Sequence, residues 1–293
     1  MQMSIGQLIL RKAKLYWSLI KSLQTLLLVF TGLAGFMSSR CPWFNMGAAL
    51  AVGGSLFLAI SGSTILNMWY DRDIDARMKR TCWRPLPSGE VKPREALALG
   101  LALSVAGVGW SLGIDLLYGA VVFAGLFFNV VVYTVILKRR TAWSIVWGGI
   151  AGGMPVLAGR ALGLGGIDWI GIALALAVLF WIPTHIMTFN IKYFKDYELC
   201  GVPTFPSRYG FETTRRVIAF SSIAAAAAMV GSAMGIGLVI GYLRLMGVLS
   251  MGLLYLAARS MLRPSERVNF ALFKYASLYM LGSMVLMAAA AFM

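Results

Sequence analysis

The residues best able to do chemistry lie in two short polar segments, each directly after an apolar run. The first reads Asn67-Met-Trp-Tyr-Asp71-Arg-Asp73-Ile-Asp75 and continues through Arg77, Lys79, Arg80 and Arg84. Asn67, Asp71 and Asp75 recur every fourth residue. On a continuous helix each step of four adds about 40° of rotation, so the three side chains share an arc of about 80° while Asp73 points roughly opposite. Hard oxygen ligands without His or Cys suit Mg²⁺, which takes one or two carboxylates and completes its shell with phosphate oxygens and water. The cations that follow suit a phosphate-rich ligand. Acids and bases interleaved beside an apolar run are also what a plain solvated loop looks like, and the fourfold spacing argues against that reading.

The second segment runs from Asn190 through Lys192, Lys195, Asp196 and Glu198 to Gly201, Pro203 and Arg208. It follows the sixth apolar run as the first segment follows the second. The equivalence suggests a four-helix duplication, about 17–137 and 143–262, within a single unit spanning 1–293. If the two segments face each other, Asp71 and Asp75 with Asp196 opposite them are suited to two Mg²⁺ ions bridged by a diphosphate. The metals and the neighbouring Lys and Arg side chains would then stabilise charge on a leaving group.

The elements that must position these residues are membrane helices. Hydrophobic residues make up 59% of the 293 and charged ones only 13%, against about 25% charged in soluble domains, and mean hydropathy is +0.78. A spanning helix needs about 20 apolar residues. Nine stretches qualify: roughly 17–37, 47–68, 94–113, 117–137, 143–162, 169–190, 217–240, 243–262 and 270–292. The expected fold is all-α, a polytopic bundle of nine transmembrane helices around a central cavity, with only connections left over. No small-residue cleavage site follows the first run, which reads as a retained span rather than a signal peptide. The three cysteines, Cys41, Cys82 and Cys200, have no CxxC spacing and give neither a disulfide framework nor a metal knuckle.

The net charge of +15 has an address. Of the 26 Lys and Arg, all but Lys21, Arg40, Arg160 and Arg244 fall in the amino-terminal segment or in connections on the same side of the bundle. This asymmetry puts the amino terminus and both polar segments in the cytoplasm, with the chain in the cell's inner membrane. The cations are therefore an orientation signal and a ligand environment, not a nucleic-acid surface. No acid lies mid-span, where transporters driven by protons or ions usually keep one; a transporter is the weaker reading.

The motifs carry a resemblance. N-x-x-x-D-x-x-x-D followed by Arg80-Thr81-x-x-Arg84-Pro-Leu-Pro-Ser-Gly89 resembles the UbiA superfamily of intramembrane prenyltransferases, and the match is closest to its haem O synthase branch. Tyr133-Thr-Val-Ile-Leu-Lys138-Arg139-Arg140-Thr141, Gly148 to Pro155, and Asp196-Tyr197 with Gly201-Val-Pro203 carry the rest of it. The resemblance implies that Asn67, Asp71, Asp75 and Asp196 bind Mg²⁺, with Asp71, Asp75 and Asp196 catalytic. It implies an allylic (farnesyl or geranylgeranyl) diphosphate as donor and haem B as acceptor, with the prenyl tail open to membrane lipid. Transfer to 4-hydroxybenzoate or a related quinone precursor is the alternative. The branch's usual Pro-Pro-His-Phe-Trp is here Pro183-Thr184-His185-Ile186-Met187, which keeps the one histidine and loses two aromatics.

His185 is either a packing residue or an acceptor contact, beside a bend expected at Pro183. Arg80, Arg84, Lys138, Arg139, Lys192 and Lys195 are candidates for the diphosphate; Lys138 and Arg139 serve equally as orientation signals. Tyr133, four residues after Asn129 and on the same face of a helix, suits either a place beside a reactive cation or an interhelical hydrogen bond. Gly148, Gly149, Gly152 and Gly153 are expected to permit close helix packing.

Overall fold

A computed structural model describes residues 5–40 and 46–292 of the chain; Cys41 lies outside them. In chain order the helices are α1 (Ile5–Leu19), α2 (Ser22–Ser38), α3 (Met46–Tyr70), α4 (Arg72–Arg77), α5 (Pro93–Ile114) and α6 (Leu116–Phe127), which runs on as a π-helix, Phe128–Leu137. They continue with α7 (Ser144–Leu164), α8 (Trp169–Lys192), α9 (Phe194–Leu199), α10 (Phe205–Ile236), α11 (Ile240–Leu262) and α12 (Glu266–Ala288). Among the described residues eight helices are long and apolar enough to span, and α1 with α2 makes a ninth only as one bent span. The chain is thus an all-α, multi-pass membrane protein. Leu101, Val105, Phe123, Phe220, Ile223, Val248 and Met251 face outward, as a lipid solvent requires.

Boundaries follow local chemistry. Pro93 opens α5, where its missing N–H costs nothing. The Asp115 and Asp168 carboxylates cap α6 and α8 by accepting from Tyr118 and Gly171 backbone N–H groups. Gly165 and Gly237 end α7 and α10 in the left-handed conformation that glycine adopts without strain. The expected first span, 17–37, is not one straight helix. Lys21 is left-handed (φ 47°, ψ 57°), and the segments Lys12–Leu19 and Ser22–Ser38 meet at 54°. Thr25 Oγ1 donates to the Ile20 carbonyl at 2.6 Å and so satisfies an acceptor at the break. The expected seventh span, 217–240, matches the inner part of the longer α10, which is interrupted at Gly210 (φ 79°, ψ 167°) and ends at Ile236, four residues short of the expected end.

Neighbours in the chain are neighbours in space. From α2 through α3, α5, α6, α7, α8, α10 and α11 to α12 each spanning helix packs on the next, and α12 returns to α2. Across this ring α2 crosses α7 with backbones almost in contact. A Cβ on Gly35 would lie 2.1 Å from the Val156 carbonyl oxygen, and one on Gly159 would lie 1.9 Å from that of Gly32. A similar constraint holds Gly153 against Ala175 of α8, and a Cβ on Gly148 would meet the Tyr133 ring. At the end of the bundle away from the polar segments, Arg160 is 5% exposed. It donates to both Asp168 oxygens at 2.9 and 2.8 Å and to the Ser38 carbonyl at 2.8 Å. One guanidinium thereby ties the ends of α2, α7 and α8 in a pairing whose buried charge is fully answered.

Candidate active site

The site begins where α3 runs out of apolar residues. Asp71 falls in the joint to α4 (φ −88°, ψ 4°), yet the helical hydrogen bonds continue: Asp71 N–H to Asn67 carbonyl at 3.0 Å and Asp75 N–H to Asp71 carbonyl at 2.9 Å. The fourfold stack of Asn67, Asp71 and Asp75 therefore survives the joint. Both carboxylates are buried, Asp71 at 2% exposure and Asp75 at 7%. Buried carboxylates must be paired, and one cation from the same segment and one from beyond the π-helix do this. Lys138, just past the π-helix, donates to Asp71 Oδ2. Arg84 Nη1 donates to Asp75 Oδ2 at 2.7 Å, and Thr81 Oγ1 holds the Asp75 carbonyl at 2.9 Å. Asp71 Oδ1 is buried without a hydrogen-bond partner; Arg139 Nη2 stands 4.0 Å from it.

Arg139 belongs mainly to Asp73. Its guanidinium donates to both Asp73 oxygens, at 2.7 and 2.8 Å, and to the Tyr70 carbonyl at 2.9 Å. That bidentate bond holds the Asp73 carboxyl below the usual carboxylate range. Asp73 points away from the stack, as its position predicts, and takes Arg139 with it to the surface.

The π-helix was not visible in the sequence. Its wide turn is marked by the Lys138 N–H bonding the Tyr133 carbonyl five residues back at 2.8 Å. Five residues also separate Thr134 from Asn129, whose carbonyl accepts from Thr134 Oγ1 at 2.6 Å. The same hydroxyl accepts from Asn67 Nδ2 at 2.8 Å, and Asn129 Nδ2 donates to Ser63 Oγ at 2.6 Å. Asn67 is thus held by Thr134, and Asn129 reaches across to Ser63. A pair of polar residues five apart in an apolar run was the available signal. Tyr133 instead lies against Gly148, with Lys138 Nζ 5.7 Å from its ring.

The second polar segment faces the first. Ile74 and Met78 form a small apolar cluster with Cys200, Val202 and Tyr197, and Cys200 Sγ reaches the Ile74 carbonyl at 3.7 Å. Burial raises the Tyr197 phenol above its ordinary pKa and the neighbouring Tyr133 raises it further, against Arg80 and Lys138. Asp196 is half-buried on α9, while Lys192 and Lys195 are exposed. Among the described residues no three His, Cys, Asp or Glu side chains converge closely enough to hold an ion unaided. Arg80 reaches inward: its guanidinium lies 4.8 Å over Phe189 and 5.5 Å over Tyr193, and its Nε is buried without a partner.

His185 stands on α8 between two rings, 4.8 Å from Trp181 and 4.5 Å from Phe273, nearly parallel to both. Ser277 Oγ approaches its Nδ1 at 3.4 Å. Lys192, one end of the same helix, lies over Phe270 rather than beside the carboxylates. Sequence reasoning missed Phe273, Phe270 and Thr134, because nothing in an apolar helix marks which aromatic or hydroxyl faces a neighbour.

The geometry is that of a buried, hard-oxygen, cation-lined mouth on an apolar bundle. Comparisons with known proteins agree. The model of the UbiA prenyltransferase family matches residues 28–281. A protoheme IX farnesyltransferase of Archaeoglobus fulgidus is 42% identical over 216 residues, 73% of this chain and 75% of that protein. That of Aeropyrum pernix is 38% identical over 275 residues, 92% and 88% of the two chains. Among solved structures, one described as digeranylgeranylglyceryl phosphate synthase superposes with a TM-score of 0.80 at 20% identity, covering 97% of this chain and all of that one. A UbiA homologue from Archaeoglobus fulgidus bound to GPP and Mg²⁺ gives 0.66 at 16% identity, covering 93% and 99%. The chain belongs to the UbiA prenyltransferase family.

Proposed function

We propose that this chain transfers a prenyl group, farnesyl in the first instance, from its diphosphate to haem B, giving haem O. One observation carries the chemistry: Asn67, Asp71 and Asp75 stand in one stack whose two buried carboxylates are met by Lys138 and Arg84. The names of relatives about 40% identical supply the acceptor.

The stack fits Mg²⁺. It offers only hard oxygens, and Asp71 Oδ1 is buried with no hydrogen bond, a lone pair a cation would take. Asn67, Asp71 and Asp75 would hold the ion with diphosphate oxygens, and Asp196 from the facing segment would hold a second. The bound metal supplies charge neutralisation on the leaving diphosphate. The chain's residues do the rest. Lys138, Arg84 and Arg80 bind diphosphate oxygens and stabilise the charge that develops as the allylic C–O bond breaks. The apolar helix faces exclude water from the prenyl chain. A haem vinyl carbon bonds to the allylic carbon, water adds to the resulting cation, and a proton is lost, leaving haem O and diphosphate.

Two further readings belong here. The acid-bearing mouth faces the cytoplasm, as the distribution of Lys and Arg supports. The chain is also a four-helix duplication: α2, α3, α5, α6 and α7, α8, α10, α11 each pack in chain order, with the second and third helices of each set sharing the largest contact.

Purified protein incubated with Mg²⁺, farnesyl diphosphate and haem B is expected to yield haem O and to stop on chelation of the metal. Prenylated 4-hydroxybenzoate with no haem O would overturn the acceptor assignment in favour of a phenol.

A further inference from the structure

A column of rings descends from the mouth along α8 and α12. Arg80 caps Phe189, Phe189 packs on Phe273 at 5.7 Å, and Phe273 stacks on His185. These side chains remain half-buried rather than sealed in the core. Beside the column at the level of the mouth, two ammonium groups converge on one ring. Lys192 Nζ lies 3.8 Å and Lys274 Nζ 4.6 Å from the centroid of Phe270, which stacks near Phe273 at 6.1 Å. Neither lysine has a carboxylate within 4.0 Å among the described residues. Lys192 Nζ also lies 5.3 Å from the Tyr193 ring, but ring contacts of this kind give each ammonium only about 0.5–2 kcal/mol and leave its charge without a counter-ion.

We infer that Lys192 and Lys274 anchor the two carboxylates of the acceptor, with its flat macrocycle lying across the edges of the stacked Phe273 and His185 rings. This rests on the haem reading above and adds a subsite separate from the diphosphate cations. The chemistry is that of a planar, apolar dianion. Its acid groups meet paired ammoniums at the water-facing end, and its macrocycle meets aromatic ring edges at membrane depth. Lys192 thereby leaves the diphosphate set and joins the acceptor side.

The test uses full-length protein in nanodiscs, titrated with haem B or its dimethyl ester and followed by the Soret band. The free acid is expected to bind about tenfold more tightly than the diester, the 1.4 kcal/mol that one charge-assisted contact readily supplies. K192Q/K274Q is expected to bind both equally, with KM for haem raised and KM for the prenyl diphosphate unchanged. Thermal melting checks that the variant is folded, and K192R/K274R is expected to restore the preference. A wild type that binds acid and ester alike, or a double variant that keeps the preference, overturns the anchor and leaves the haem reading standing. A wild type with no Soret shift overturns both.

Discussion

Lys138 is bonded to one oxygen of Asp71, while the other oxygen of the same carboxylate is buried and unbonded. One half of Asp71 is thus neutralised by the protein, and the other half is held out of water with no hydrogen bond, the Arg139 guanidinium 4.0 Å away. Desolvating a carboxylate oxygen without a partner is unfavourable by about 1–3 kcal/mol or more. Under the proposed function this is the oxygen that a metal ion would take.

Asp71→Ala should lower the rate of prenyl transfer by about 10³-fold or more, the several kcal/mol that a bound metal contributes. Steady-state kinetics at saturating Mg²⁺ checks this, and near-normal turnover would remove Asp71 from the metal site. Lys138→Met should also lose activity, because an unanswered Asp71 charge remains buried.

Arg139→Gln should affect stability more than chemistry, and modestly. Its partner Asp73 is largely exposed and its pKa is depressed by the bidentate bond. A depressed carboxylate pKa gives stability that is complete above the unfolded value near 4 and is lost as pH falls through the folded one. Wild type and variant should therefore differ by about 1 kcal/mol or less at neutral pH. The gap should be constant from pH 5 to 8 and close only in stronger acid. Denaturation followed across pH reads it directly.

Arg160→Leu leaves the half-buried Asp168 without its partner and frees the buried Ser38 carbonyl. Losing such hydrogen bonds costs about 1–3 kcal/mol, so the melting temperature in detergent should fall. Activity per folded molecule should persist, because the pair lies at the far end of the bundle. A variant as stable as wild type would show that the end of α7 is held by something else.

Gly159→Leu forces a side chain into the α2–α7 crossing, where even a Cβ lies 1.9 Å from the Gly32 carbonyl oxygen. Neither backbone can yield without moving a whole helix, so the variant should fail to accumulate in membranes. Gly241→Leu, in open space, is the control and should express normally. Equal yields of the two would contradict the crossing.

Much of this was legible in the residues. Hydropathy marked every spanning helix because a bilayer leaves few alternatives to a 20-residue apolar run. The Asn67, Asp71, Asp75 stack was readable because a period of four needs only a helix. The paired roles of Lys138 and Arg139 were not, since adjacent cations differ only in which way the preceding turn delivers them. The break at Lys21 was equally silent, with neither Pro nor Gly to mark it. His185 could be singled out as the one histidine, but its stacking partner Phe273 sits on another helix and no local pattern announces it.

The wide turn between Asn129 and Lys138 stores one residue without changing phase. Five steps of about 82° through it rotate the chain nearly as far as four α-helical steps of about 100°, so the helix beyond keeps its direction. Removing one of Val130, Val131 and Val132 would close the turn to about 3.6 residues and still bring Thr134 round towards Asn67. Such a deletion should therefore be tolerated better than a one-residue deletion elsewhere in the same span, which yield in membranes and retained activity would show.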